Sequence, residues 1–176
     1  MKIGVGLKRV LLLMPVLLFF RTAFAQSDDE KEPAARLEIG VAPTRSLSDP
    51  GLSLGPSFAV EATPVRNWLE IEVGTTLSFN HNSTEWGTDF LFKKPWDISP
   101  TIEFMAGGGP EWINSSINGV RINSLAGEAV LDFMFWRTAE HKIGWYFEPM
   151  YEHSFQAGHD KSLGFSIGLL IGIRGH

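Results

Sequence analysis

Glu148, Glu152, His153 and Ser154 lie within one short stretch, GWYFEPMYEHS (144–154). A serine beside a histidine, with a carboxylate to orient the ring, is the equipment of nucleophilic acyl transfer. The same stretch also alternates as a strand does, and a strand sends adjacent side chains to opposite faces. On that reading Glu148, Glu152 and Ser154 share one wall, while His153 sits on the other with Trp145, Phe147 and Tyr151. The pleat then splits the pair, and His153 and Ser154 remain only weak catalytic candidates.

A second set of chemical groups follows from the same parity. Glu38, Glu61, Glu70, Glu72, Asp89, Glu103, Glu111, Glu128, Asp132, Glu148 and Glu152 all fall on one face of successive strands. Glu70, Glu72, Glu103, Glu128, Asp132, Glu148 and Glu152 form the candidate network. Bases able to reach that face are few: Arg45, Lys93, Arg121 and Arg137. So many carboxylates in a dry interior require hydration, shared protons or a bound cation, because an unpaired buried charge is expensive. The five histidines (His81, His141, His153, His159, His176) show no paired metal-ligand spacing. No metal site and no cofactor are expected. Gly107-Gly108-Gly109 lacks the Lys-Ser/Thr of a phosphate loop.

The elements that must position these groups are strands. From residue 36 onward the chain repeats apolar–polar alternation between turn residues, most clearly in KSLGFSIGLLIGI (161–173). Leu163, Phe165, Ile167, Leu169, Ile171 and Ile173 take one face there, and small residues most of the other. Eight strands follow from the same rule, near 36–43, 52–63, 67–80, 85–93, 98–114, 121–136, 143–156 and 161–173. Tight turns are read at Thr63–Asn67, Lys93–Asp97 and Arg137–Lys142, with the other connections 4 to 10 residues long. An even strand number with hairpin connections predicts an up-and-down antiparallel barrel.

Two kinds of eight-stranded barrel have opposite polarity. Here the bulky face is continuous over ten or more positions in several strands, while the other face is small and acidic. Thirteen residues at about 3.3 Å each, tilted near 45°, rise roughly 30 Å, the thickness of a bilayer core. Tryptophans and tyrosines near strand ends (Trp68, Trp86, Trp96, Trp112, Trp136, Trp145, Tyr146, Tyr151) suit interfacial girdles. The prediction is an all-β, eight-stranded transmembrane barrel; a soluble, lipocalin-like periplasmic binder is the competing architecture. Pro56, Pro100, Pro110 and Pro149 fall within the proposed strands. They call for strand ends or bulges, above all at Gly107–Gly109, where a bulge would reverse Glu111 and Trp112.

Residues 1–25 carry a basic start, an apolar run from Val10 to Phe20 and Ala23-Phe24-Ala25. This is the layout of a signal peptide cleaved near Ala25, with an apolar run too short to span a bilayer. Four of the 15 basic residues and none of the 20 acids lie in it, so the remaining chain carries −9. Such a chain is a poor nucleic-acid binder. The absence of cysteine excludes disulfides and thiolate metal sites. Residues 26–35 read as a flexible lead-in and 36–176 as the barrel domain.

The phrases TEWGTDFLFKKPW (84–96), EFMAGGGPEW (103–112), AGEAVLDFMFW (126–136) and GWYFEPMYEHSFQAGHDKSLGFSIGLLIGI (144–173) resemble a group of small, uncharacterised outer-membrane β-barrel proteins of Gram-negative bacteria. The resemblance covers most of the chain after residue 25. It implies an outer-membrane barrel in contact with outer-membrane lipid and with the barrel-assembly machinery, and it implies no activity or oligomeric state. Lipid A deacylases, also small barrels, are similar in size and final strands. Their motif places His and Ser two residues apart with an Asn after the Ser, whereas here His153 and Ser154 are adjacent and Phe155 follows. The expected role is structural or binding, with a filled acidic interior. A narrow cation-preferring pore and a lipid A-modifying enzyme are the alternatives.

Overall fold

The structure is a computed structural model that describes residues 33–48, 51–80, 83–117, 120–156 and 160–173. The expected signal peptide (residues 1–25), residues 26–32 of the expected lead-in, and His81, His159 and His176 lie outside the described residues. Eight strands follow in chain order: β1 Ala35–Ser46, β2 Leu52–Val65, β3 Leu69–Asn80, β4 Ser83–Ser99, β5 Ile102–Ile117, β6 Val120–Trp136, β7 Ile143–Ser154 and β8 Lys161–Ile173. Each pairs antiparallel with the next, and β1 pairs with β8, closing the barrel. Closure leaves no sheet edge, which is the condition for spanning lipid with strands.

Alternation sorts the faces as the pattern requires. Outward side chains form an apolar belt that includes Phe58, Phe92, Leu131, Phe165 and Leu169. Tryptophans rim it at two heights. Trp68, Trp96 and Trp145 stand toward the end of the barrel with β2–β3, β4–β5 and β6–β7 connections, here the turn end. Trp86 and Trp112 stand toward the opposite, loop end. Trp86 and Trp96 are ten positions apart on β4, a rise of roughly 23 Å for a strand tilted near 45°. An outward ladder of rings crosses four strands: Trp96 on Phe104, Phe104 on Phe133, Phe133 on Phe147, at 5.0 to 6.5 Å.

Three sequence expectations change. The stretch Lys93–Asp97 is strand, not turn, and the β4–β5 connection is Pro100-Thr101. Pairing of β4 with β3 stops at Lys93–Glu70, so Pro95 falls where β4 keeps a ladder only with β5, and an edge-like position tolerates its missing donor. Second, Gly107–Gly109 carries no register shift: Glu111 stays inward, and Trp112 is outward and 60% exposed. The shifts sit near the turns instead, at Ala62/Val65 and Asp97/Ser99. Third, two of the loop-end connections are shorter than expected, with two positions separating Asn80 from Ser83 and Ile117 from Val120.

Pro56, Pro110 and Pro149 are absorbed without bulges, whereas Pro64 lies within the Ala62/Val65 shift. The β2–β3 ladder runs from Leu54–Phe79 straight to Ser57–Thr76, and Pro56 occupies the gap. Pro110 and Pro149 occupy equivalent gaps, between Asp89–Glu111 and Phe92–Gly108, and between Val130–Met150 and Phe133–Phe147. In each case the register is the same on both sides, so a few ladder contacts are omitted and the inward–outward assignment survives.

The closing seam depends on two glycines. Gly40 on β1 pairs with Gly168 on β8, and a Cβ on Gly168 would run into the Ile39 carbonyl and the Gly40 Cα. Because the obstruction is backbone, Gly168→Val is expected to lower stability by about 3 kcal/mol, the upper end for overpacking. Gly127→Ala, which would meet only the Phe155 ring, is expected to cost far less. Urea titration of the folded barrel in detergent, read by its heat-modifiable gel migration, checks both.

Candidate functional site

All eleven acids expected on one face point into the lumen. Glu38, Glu61, Glu70, Glu72, Glu103, Asp132 and Glu148 are buried; Asp89, Glu111, Glu128 and Glu152 are less deeply so. Small residues on the inner face leave room for them, since the interior of an eight-stranded barrel is only wide enough to be filled by side chains.

Two cations organise the turn-end half. Arg36, at the start of β1, forks onto Glu103 at 2.9 and 3.0 Å and onto Glu61 at 3.1 Å, with Glu70 at 3.6 Å. Its guanidinium also lies 5.9 Å from the Trp136 ring centroid. Thr63 donates to both oxygens of Glu70 at 2.7 and 2.8 Å. One step toward the loops, the Lys93 ammonium ion-pairs with Glu72, reaches Glu148 at 2.5 Å and Asp132 at 3.1 Å, and lies 3.9 Å from Glu61. Glu61 therefore links the two centres. Both cations are almost wholly excluded from solvent, where a charge is tolerable only with partners of opposite sign at hydrogen-bond distance.

The bases are not the expected set. Arg45 and Arg121 are exposed on outward positions, and Arg137 is exposed in the β6–β7 turn. Only Lys93 of that set enters the lumen, and Arg36 had not been counted. The signal for Lys93 was present: Phe90, Phe92, Trp96 and Ile98 keep the outward period through Pro95, which puts residue 93 inside.

Apolar packing closes the same half. Met105, Met134, Trp136, Tyr146 and Leu170 form a buried cluster across β5 to β8. Trp136 and Tyr146 are thus lumenal, not members of an interfacial girdle, because their positions are even in β6 and β7 and share the inward parity of Asp132 and Glu148. Trp136 stacks on His141 at 4.7 Å, and His141 Nε2 lies 3.0 Å from the Pro100 carbonyl oxygen. The Tyr146 hydroxyl joins Ser166 at 2.8 Å, which joins Ser57 at 2.8 Å.

The loop-end half differs. Asp89 accepts from the Gly74 amide at 3.0 Å, Glu85 from Ser115 at 2.8 Å and Glu152 from Ser162 at 3.0 Å. None of Glu85, Asp89, Glu111, Glu128 and Glu152 forms an ion pair among the described residues. The predicted network is therefore divided: Glu70 and Glu103 gather at Arg36, Glu72, Asp132 and Glu148 at Lys93, and Glu128 and Glu152 stand apart as direct neighbours on β6 and β7.

Ser154 and His153 are separated by the pleat. Ser154 is buried inward, and its Oγ accepts from the Gln156 amide at 3.3 Å. His153 is on the outer side with its ring edge-on to Phe155 at 5.6 Å. The pleat therefore keeps the His153 ring and the Ser154 hydroxyl on opposite faces of β7. Among the described residues no three His, Asp or Glu side chains converge as a metal ion requires.

With this geometry in view, the likeness to solved structures is direct. The barrel is similar to Neisserial surface protein A, with a TM-score of 0.64 and 11% identity over 79% of this chain and 96% of that one. The fold is that of the small outer-membrane barrels. Ail, the attachment invasion locus protein of Yersinia pestis, gives 0.56 and 12% over 80% and 98%. The N-terminal β-barrel domain of Pseudomonas aeruginosa OprF gives 0.56 and 11% over 77% and 97%. No family model and no curated protein matches the sequence.

Removing one member of a buried ion network leaves the others uncompensated, at a cost of about 3–5 kcal/mol. Lys93→Met is expected to lose that much, and Lys93→Met with Glu72→Gln to lose less than the single change. Equilibrium unfolding in urea, with the two single variants and the double, measures the coupling.

Proposed function

We propose that this protein is a non-enzymatic barrel of the outer membrane, plugged in its turn-end half, with a structural or binding role in the cell envelope. The observation that carries this reading is the plug itself. Arg36 and Lys93 with their carboxylates, and the Met105–Met134–Trp136–Tyr146–Leu170 cluster, fill the lumen between β1 and β8. The apolar belt and its two tryptophan rims support insertion in lipid, and they oppose the soluble, lipocalin-like alternative, whose exterior would be hydrophilic. Export through the signal peptide of residues 1–25, delivery by the barrel-assembly machinery and contact with outer-membrane lipid complete the reading. Chain ends and tight turns face the periplasm, and the loop end faces outward.

The alternatives lose support from the same geometry. A cation-preferring pore needs a continuous aqueous path, and the turn-end half holds bonded side chains. A lipid A-modifying enzyme needs His153 within reach of a serine hydroxyl, and Ser154 points the other way. One structural neighbour is named for attachment and invasion; here the short loop-end hairpins favour recognition through the mouth of the barrel over recognition through long loops.

The full chain is expected in the detergent-extracted envelope fraction, with heat-modifiable migration. In planar bilayers it should give no conductance steps, and Glu128→Gln should be equally silent. Recovery in the soluble periplasmic fraction, or sustained cation-selective conductance, would overturn the reading. Incubation with lipid A should release no fatty acid.

A further inference from the structure

Toward the loops the inner wall stays acidic, and two cavities open among its side chains, the deeper one bordering Glu72 and Glu148 of the Lys93 centre. At the mouth lies a cavity of about 260 Å³ lined by Glu85 and Glu152 with five serines and Thr44, and by Asp160 and Lys161 on the rim. Deeper, a cavity of about 20 Å³ is lined by Glu38, Asp89, Glu128 and Glu148 together with Ser57 and Tyr146. That is room for one water-sized group. The strand register sets Glu111 between the two cavities, directly opposite Asp89 on β4 and one pair from Glu85–Ser115 along the inward face of β5 once Gly87–Ile113 is passed. Along this path Glu85, Asp89, Glu111, Glu128 and Glu152 form no ion pair among the described residues, Glu148 is held by Lys93, and Lys161 at the rim is the one base among the described residues lining either cavity.

A second observation marks the bottom of the path. Glu38 is 1% exposed and lines the deep cavity, and its Oε1 has no hydrogen-bond partner. A buried carboxylate oxygen without a donor is costly. The cavity in front of it is the place from which a donor would come.

We propose that the loop-end half of the lumen is a blind shaft that binds a linear aliphatic polyamine, entering from the mouth with its leading ammonium directed at Glu38. The carboxylates are strung along the axis, and among the described residues no three converge as a metal ion requires. Separated charges match a ligand whose positive groups are themselves separated by methylene spacers. Glu148 and Glu152 are four residues apart on β7, roughly 9 Å along the axis for a strand tilted near 45°. An eight-stranded lumen is narrow, being filled by side chains or by one small ligand, which favours a thin, unbranched chain. This deepens the binding role proposed above, and it rests on that reading for access to the mouth from outside.

Calorimetric titration of the full folded chain in detergent with spermidine, at fixed ionic strength, tests it. Saturable one-to-one binding is expected, with Glu111→Gln, Glu152→Gln and Glu38→Gln each weakening it about tenfold, as loss of one charge-assisted hydrogen bond does. Magnesium at matched ionic strength should compete poorly. Absence of saturable heat, variants that bind as the parent does, or equal displacement by magnesium would overturn the proposal, the last by reducing it to diffuse counterion attraction. Heat-modifiable migration is recorded for every sample. A folded barrel that ignores spermidine defeats this inference alone, whereas a chain that is soluble without detergent defeats the membrane reading beneath it.

Discussion

The lumen is built around one ammonium group. Lys93 sits in the barrel interior with Glu72, Asp132 and Glu148 around it and Glu61 at the edge of reach. These partners come from β2, β3, β6 and β7, so a single side chain ties opposite walls of the cylinder together. A barrel wall is held laterally by its backbone ladder, which fixes each strand only against its neighbours. Contacts across the lumen are what set the cross-section. Arg36 does the same nearer the turn end with Glu61, Glu70 and Glu103, and the shared Glu61 makes the two centres one unit.

The polarity of the exterior follows from the same closure. Once inward positions are committed to carboxylates and small residues, alternation leaves the large apolar residues on the outside. In water that surface would be a liability; in lipid it is the condition for stability. The prolines show how strictly the alternation is kept. Pro56, Pro110 and Pro149 could each have shifted the register by a bulge, and such a shift would have carried an acid to the lipid side. Instead the ladder skips a few pairs and resumes in the same register.

Most of this was legible from period alone. Strand number, the inward set of eleven acids and the separation of His153 from Ser154 all follow from counting by two. What escaped was set by contacts distant in sequence. Lys93 is among the bases expected near the inner face, but the turn composition of Lys-Lys-Pro-Trp-Asp hides its place within β4, and its partners Asp132 and Glu148 lie 39 and 55 residues away. Arg36 stands at the edge of a charged, aperiodic lead-in, and nothing local distinguishes it from the residues before it. Trp136 and Tyr146 look like girdle aromatics by their place near strand ends. Only their parity shows that they close the lumen, and parity is most easily lost at strand ends.

The two halves of the interior therefore have different jobs. In the turn-end half acids meet cations and apolar side chains, and space is used up. Toward the loops the acids continue while the cations stop; the carboxylates of Asp89 and Glu111 take the space left by Gly74 and Gly87, and a cavity opens at the mouth. A lumen selected only for rigidity would gain nothing from extending the row of carboxylates past its last base, since each added charge repels its neighbours. Glu111, Glu128 and Glu152 are costly where they stand unless something positive arrives from the open end. The asymmetry of charge along one narrow axis is thus the observation on which the proposed binding role rests.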